Sequence, residues 1–437
     1  MAQRRTGGTR LGVTRRGLAR GAAGLAAVGT GLAAPHVRAA PLTLKMWMHL
    51  HPPRLPIDKA IIAEFEKDNP GVKVEYQVFP PSNYATKLLT AFAAGAGPDF
   101  FNWSSTFMAQ WHHSGIAAPI DVKALGYPDV KALTSQYVSG FAGADFGGTL
   151  YGVPSEVSNW CCFTNNVIFR AGHLDPAKDF PRTWEAMTTV AGKLTLRDKS
   201  GNPTRRGFDF DWENANIFYG TISTMMHQLG VDIVDEARNE ANLDTPAAHQ
   251  VMQYYGDWAR TWKLGGPQYI ESRIAFLDGQ LGSEGTYGIW GIPQVQKAKI
   301  DFGVYPAPRW AKGSANVGFD PYAFYMMANA RAPKPVQALA WRMARAYIDH
   351  APQLYEGAGL FVPRQDVIDT PTYRANPWAH VFLDELKLSK FSPRVVPIAR
   401  VEAALVAARD QVMQGGQEVA PVMADLNRQV NRILKGG

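Results

Sequence analysis

The chain has 437 residues, 46% of them hydrophobic and 19% charged, with 45 basic and 38 acidic side chains. That composition suits a globular protein, and the length exceeds what one hydrophobic core usually supports, so two lobes are expected. The formal charge of +7 suggests a polyanion partner, but its location removes that reading: seven arginines and no acidic residue lie in residues 1–39. Without that segment the basic and acidic groups balance at 38 each, and a neutral chain offers no general electrostatic case for nucleic acid.

Residues 1–39 read as an export signal. Arg4, Arg5, Arg10, Arg15 and Arg16 precede the small, apolar run Gly21–Ala34, and Val37 and Ala39 are spaced as a cleavage site. The run is too short to span a bilayer. Thr14–Arg20, TRRGLAR, resembles the twin-arginine motif, which predicts delivery to a bacterial periplasm.

Beyond it, Leu42–Met48 alternates as a strand and Ile57–Gly71 reads as a helix, with Ile57, Ile61, Ile62 and Phe65 on one face. Val72–Phe79 is a second strand. A helix follows through Leu88 and Phe92, then the short strand Asp99–Trp103, with Ser104 positioned to cap the next helix. Strand, helix, strand, helix, strand predicts an α/β fold with a mainly parallel sheet. Gly148–Pro154 reads as a hairpin or edge piece, and Val157–Asn166 as one strand. Thr183 caps a helix to Leu194, and Pro246–Lys263 is helical. Asp301–Pro308 and Phe319–Ala328 are strands. Pro333–Ile348, Val401–Val412 and Val419–Leu434 are helices.

Chemistry is sparse. No nucleophile elbow, phosphate-binding loop, zinc-protease motif or Cys-x-x-Cys is present. His49-x-His51 and His112-His113 lack acidic or cysteine co-ligands nearby, so no metal and no cofactor is expected. The two cysteines, Cys161 and Cys162, are adjacent; neighbours in a strand face opposite ways. Two buried thiols are the expectation, with a vicinal disulfide as the alternative.

These landmarks resemble the bacterial extracellular solute-binding proteins of family 1, the maltose-type receptors of ABC importers. The resemblance rests on Phe65–Tyr76 (FEKDNPGVKVEY), Lys87–Trp103, Ser114–Asp121, Leu150–Leu174, the FPRTWEAM helix start and Phe276–Gly291. Thr164 stands where the family often has Tyr, and Glu284-Gly285-Thr286 replaces its usual Ala-Met. The resemblance implies a two-lobed periplasmic binding protein fold (type II) with a ligand cleft between lobes. The implied lobes are 40–154 with 318–366, and 155–317 with 367–437. The chain would cross near Pro154–Asn159, Val317–Asp320 and Arg364–Thr370.

A sugar presents apolar faces and a rim of hydroxyls, so its site needs aromatic walls and a few placed polar groups. Trp47 and Trp103 end predicted strands, where open α/β sheets leave a crevice. The resemblance puts Trp290 at the family's frequent cleft tryptophan. His49, Ser104, Glu156, Asn159, Trp212, Asp320 and Arg364 complete the candidate ligand-binding set; no residue is assigned a catalytic role. Trp184, Trp258, Trp262 and Trp341 lie on predicted helices and read as packing. The expected partners are a small-molecule ligand, a sugar or polyol, and ABC permease subunits, with the receptor itself a monomer. A glycerol phosphodiester would favour Arg364 and His49, and a polyamine would favour Glu156 and Asp320. A periplasmic carbohydrate-active enzyme is a different class; Glu156 with Asp320 is the one carboxylate pair it could use. A sensor feeding a membrane receptor has the same sequence signature as a transport receptor.

Overall fold

The computed structural model describes residues 42–436. The export signal assigned to residues 1–39 lies outside them. Among the described residues no helix is long and apolar enough to cross a membrane.

Two main sheets organise the chain into two lobes. The first has five strands in the order Val72–Phe79, Leu42–His49, Phe100–Ser104, Tyr322–Ala328 and Val153–Ser158. The first three run parallel, and Tyr322–Ala328 runs antiparallel to both its neighbours. Leu42–His49 pairs with Val72–Phe79 along its whole length, from Leu42 opposite Val72 to His49 opposite Phe79. Ser104 faces Phe324, and Ser158 faces Tyr322. His49, Phe79 and Ser104 therefore end their strands at the same edge, which is the crevice position for an α/β sheet. Helices Leu55–Asp68 and Lys334–Asp349 cover this sheet. Both present apolar stripes, with Ile61 and Phe65 on one and Leu339, Trp341, Met343 and Tyr347 on the other.

The second sheet departs from the parallel expectation. Cys161–Asn165 is its central strand and pairs antiparallel with both Ser283–Tyr287 and Phe302–Tyr305. Helices Ala215–Gln228, Pro246–Arg260, Ile398–Met413 and Val419–Leu434 pack together in this lobe. Their core holds Trp184, Phe210, Trp212, Tyr255 and Trp258.

Val157–Asn166, which alternation reads as one strand, is two. Ser155–Ser158, placed by resemblance in the second lobe, runs in the first sheet, and Cys161 begins the second. Only Asn159 and Trp160 lie between, because Ser158 must pair with Tyr322 while Cys161 pairs with Tyr287. Strand periodicity cannot see a change of partner when both halves are buried. The cysteines are free, fully buried and on opposite faces: Cys161 joins the core that contains the first sheet, and Cys162 joins the second. Burial pushes both thiols well up. Neither is a ready nucleophile.

Candidate functional site

A run of ring contacts links the two sheets at the edge where the strands end. Trp47 packs on Phe79 (4.7 Å between centroids), Phe79 on Tyr84 (5.6 Å), and Tyr84 edge-on to Trp103 (5.0 Å). Trp103 meets Phe324 (5.9 Å), which meets Tyr322 (6.1 Å). Tyr322 lies against Trp160 (4.9 Å), Trp160 against Trp290 (6.4 Å), and Trp290 against Tyr287 (5.8 Å). Edge-to-face and tilted pairs at these separations are favourable ring geometries. Trp47, Phe79, Trp160, Trp290, Tyr322 and Phe324 are half-buried, so part of each ring surface stays open.

Polar groups support this run from below. His49 stacks on Phe324 (4.4 Å) and is buried. Its backbone N–H donates to Asn102 Oδ1 (3.0 Å), and its Nδ1 meets Asn102 Nδ2 (2.9 Å). Burial, reinforced by the nearby Arg54 charge, holds the imidazole well below its usual range, so it is neutral at neutral pH. Arg54 Nη2 donates to His49 O (2.5 Å) and Arg54 Nε to Asp58 (3.0 Å). Asp58 also accepts from the Tyr76 and Tyr347 hydroxyls. That closed network clamps the end of the Leu42–His49 strand.

Glu156 is buried and accepts from the Tyr322 hydroxyl (2.7 Å). Burial pushes its carboxyl up to about 7. Asn159 and Trp103 are buried, and Asn159 Nδ2 and Trp103 Nε1 have no hydrogen-bond partner. Unpaired buried donors are uncommon, since each costs about 1–3 kcal/mol. Ser104 accepts from the Thr106 N–H (3.3 Å), capping the short helical turn Ser105–Phe107. Asp320 accepts from the Ser392 N–H (2.8 Å), and its own N–H donates to Thr224 Oγ1 (2.8 Å). Burial raises Asp320 to about 7 as well.

A narrow recess of about 30 Å³ lies beside this run. It is lined by Thr106 from the first lobe, Asn216 and Tyr219 from the second, and Trp160, Asp320 and Tyr322 at the crossings. Trp47, His49, Trp103, Glu156 and Trp290 join the aromatic run or bond to it, Asn159 sits at the crossing beside Trp160, Asp320 lines the recess itself, and Ser104 borders it through Thr106.

Two sequence-derived candidates lie elsewhere. Trp212 is 4% exposed in the second core, where its Nε1 donates to Asp209 (2.7 Å) and its carbonyl accepts from Arg409 (2.5 Å). In sequence, Asp209–Asn214 (DFDWEN) reads as a polar loop, but Trp212 folds inward against Phe210 and Tyr255. Arg364 grips Asp366 through two bonds (2.9 and 2.8 Å) and lies over Tyr137 (5.3 Å). Those contacts make it a structural ion pair away from the ring run.

The fold also brings here several residues outside the sequence-derived set. Tyr322 and Phe324 share a strand face by alternation, a signal present in FDPYAFYMMA. Trp160 lies between two strands that read as one. Arg273 has no local signal: its guanidinium sits 5.5 Å from the Trp160 ring centre and 5.7 Å from that of Trp290. Arg273 also contacts Asp211 (3.5 Å) and donates to Thr286 O (2.9 Å). Among the described residues no group of three or more His, Cys, Asp or Glu is placed to hold a metal. His112 instead stacks on Phe146 at 4.4 Å.

Two sheets joined at short crossings, with an aromatic edge between them, match a known architecture. The sequence profile described as "Bacterial extracellular solute-binding protein" matches residues 52–351. The chain belongs to that family. A maltotriose-binding protein of Pyrococcus abyssi is 22% identical over 400 residues, spanning 89% of this chain and 81% of the relative. Among solved structures, a cyclic α-maltosyl-1,6-maltose binding protein from Arthrobacter globiformis superposes with a TM-score of 0.76 at 17% identity. That match covers 91% of this chain and all of the other. An ABC transporter solute-binding protein from Thermotoga lettingae, bound with α-D-tagatose, gives 0.74 at 20% identity, covering 90% and 100%. The two-lobed fold is common to this chain and these solved structures.

Proposed function

We propose that the cleft along this ring run, widened from the narrow recess by motion of the lobes, binds a sugar or related polyol and that the protein delivers it, unaltered, to an ABC permease. The single observation that carries this reading is the run of rings from Trp47 to Trp290, which passes from one sheet to the other. Half-buried ring faces suit the apolar faces of a pyranose, and the unpaired donors of Asn159 and Trp103 suit its oxygens. The relatives' maltotriose and tagatose ligands support a carbohydrate. We infer export to the periplasm through the twin-arginine-type signal in residues 1–39, and action as a monomer. The lobes we assign are 42–158 with 322–375, and 161–319 with 376–436, the last crossing falling between Tyr373, which stacks on Phe361, and Trp378, which packs on Phe302. Ligand would close them by hinge motion at Asn159–Trp160 and beside Asp320.

A thermal-shift screen of residues 40–437 tests this, using maltotriose, mono- and disaccharides, sugar alcohols, glycerol phosphodiesters and polyamines. Ligand at about 100 times its Kd adds about 2.7 kcal/mol, a shift of several degrees. A shift with one sugar class, and recovery of that sugar unchanged, is the expected result. A shift only with phosphodiesters or polyamines overturns the sugar assignment, and a chemically altered ligand overturns the transport role.

A further inference from the structure

The segment Ser389–Pro397 runs between the helix Ala379–Leu388 and the helix Ile398–Met413. It is tied to the second lobe at each step. Lys390 pairs with Asp232 (2.7 Å), the Tyr219 hydroxyl donates to Pro393 O (2.8 Å), and the Arg394 N–H donates to Glu236 (2.6 Å). The Arg394 side chain reaches the other way, with its Nε still 3.9 Å from Glu236. Its Nη1 donates to Ala142 O and to Asp145 O, both at 2.9 Å, and its guanidinium covers the Phe146 ring at 4.7 Å. Ala142 and Asp145 belong to the first lobe, where the Tyr325 hydroxyl holds Gly140 O and the Tyr151 N–H holds Ala144 O. One side chain, rooted in one lobe, is thus bonded in the other.

A second link lies across the recess. Asn216, in the first turn of the helix Ala215–Gln228, donates from Nδ2 to Thr106 Oγ1 and to Glu402 Oε1, both at 3.0 Å. Thr106 follows the strand Phe100–Ser104 of the first sheet, and Glu402 lies on the Ile398–Met413 helix. Arg394, Asn216 and Thr106 all line the recess.

We propose that Arg394 is a latch that holds the two lobes closed, with Asn216–Thr106 as a weaker second catch; this rests on the reading of the recess as a solute site that opens and closes. The bonds need no ligand, and opening would return the guanidinium to water. They therefore favour the closed form alone. A ligand that binds the closed form gains affinity in proportion to the fraction closed, and escapes more slowly while the latch holds. Arg394 acts here as a positioning residue: its two acceptors are backbone carbonyls of the other lobe, and the ligand-free scattering reads that lobe geometry apart from any contact Arg394 makes with a ligand in the recess.

The test uses wild type, Arg394→Ala, Arg394→Lys and Asn216→Ala. Binding of maltotriose is followed by calorimetry and stopped-flow fluorescence, and the ligand-free proteins are measured by small-angle X-ray scattering. Charge-assisted bonds of this kind support a rise in Kd of about tenfold for Arg394→Ala, carried by koff. Arg394→Lys should recover part of it, and Asn216→Ala should show a smaller rise. The ligand-free radius of gyration should grow in the same order. Unchanged koff with unchanged scattering overturns the latch. If wild type ignores maltotriose, the scattering alone still decides: expansion of Arg394→Ala upholds the latch, and identical profiles reject it. If Arg394→Ala misfolds, the scattering of Arg394→Lys and Asn216→Ala decides instead, expansion upholding the latch and profiles identical to wild type rejecting it.

Discussion

Trp103 and Trp212 are both almost fully buried, at 7% and 4% exposure, yet they live in opposite polar surroundings. Trp212 belongs to a closed network. Asp209 accepts from Arg206, from Trp212 and Trp258 through their indoles, and from the backbone of Phe210 and Gly266. Every donor around that carboxylate is matched. Trp103 stands at the strand ends of the first lobe with its indole N–H unpaired, and the Asn159 amide at the crossing is unpaired too. The network around Asp209 closes on itself, while the Trp103 indole and the Asn159 amide are left without partners. Hydrogen-bond closure, rather than burial, separates these two tryptophans.

The comparison can be broken at either end. The largest effect should come from Asp209→Ala, which leaves Arg206 buried without its partner. We expect a loss of about 3–5 kcal/mol in urea unfolding. A loss below about 1 kcal/mol would mean that the network is not the centre of the second core.

Next is a pH effect. Folding raises Glu156 to about 7 from its ordinary 4.5. The folded chain therefore keeps this proton between those pH values while the unfolded chain gives it up. The contribution is full below about 4.5 and is lost as pH rises through about 7. Glu156→Gln keeps an acceptor for Tyr322 and removes that loss. Its stability relative to wild type should rise between pH 5 and pH 8, by about 1–3 kcal/mol. A flat difference across that range contradicts the assignment.

Trp160→Ala should raise the sugar Kd by roughly 10–100-fold, the scale of losing one aromatic anchor. The ring is half-buried, so unfolding midpoints should move far less than for Asp209→Ala. The smallest effect is expected from Trp212→Phe. Losing one hydrogen bond to Asp209 should cost about 1 kcal/mol of stability and leave sugar affinity unchanged. A change in affinity at constant stability would return Trp212 to the binding site.

The sequence carried the first lobe well, and physics explains why. Leu42–His49, Val72–Phe79 and Phe100–Ser104 are separated by helices with regular apolar faces and firm stops, so period and punctuation agree. Trp47 and Trp103 could be placed near the strand-end edge from sequence because they lie close to the ends of such strands. The second lobe was harder. Its strand Ser283–Tyr287 is fully buried and holds Glu284, which satisfies itself on Ser272 (3.1 Å) and the Thr286 N–H (2.8 Å). Such a strand shows no alternation to read. Alternation hid the crossing at Asn159–Trp160 for the same reason, and only the family resemblance, which put a crossing near Pro154–Asn159, pointed to it. Arg273 reaches Trp160 and Trp290 only through tertiary folding, and no local spacing announces it. Trp212 misled because a run of acidic residues around it suggested a loop, whereas Asp209 draws it inward.

The most direct test of the account is a calorimetric titration of residues 40–437 with the neutral sugars of the screen, wild type beside Trp160→Ala. The account predicts saturable binding of one sugar class by wild type, weakened at least tenfold by the substitution while the fold persists. Equal affinity in the two proteins, or no sugar bound by wild type, would contradict it.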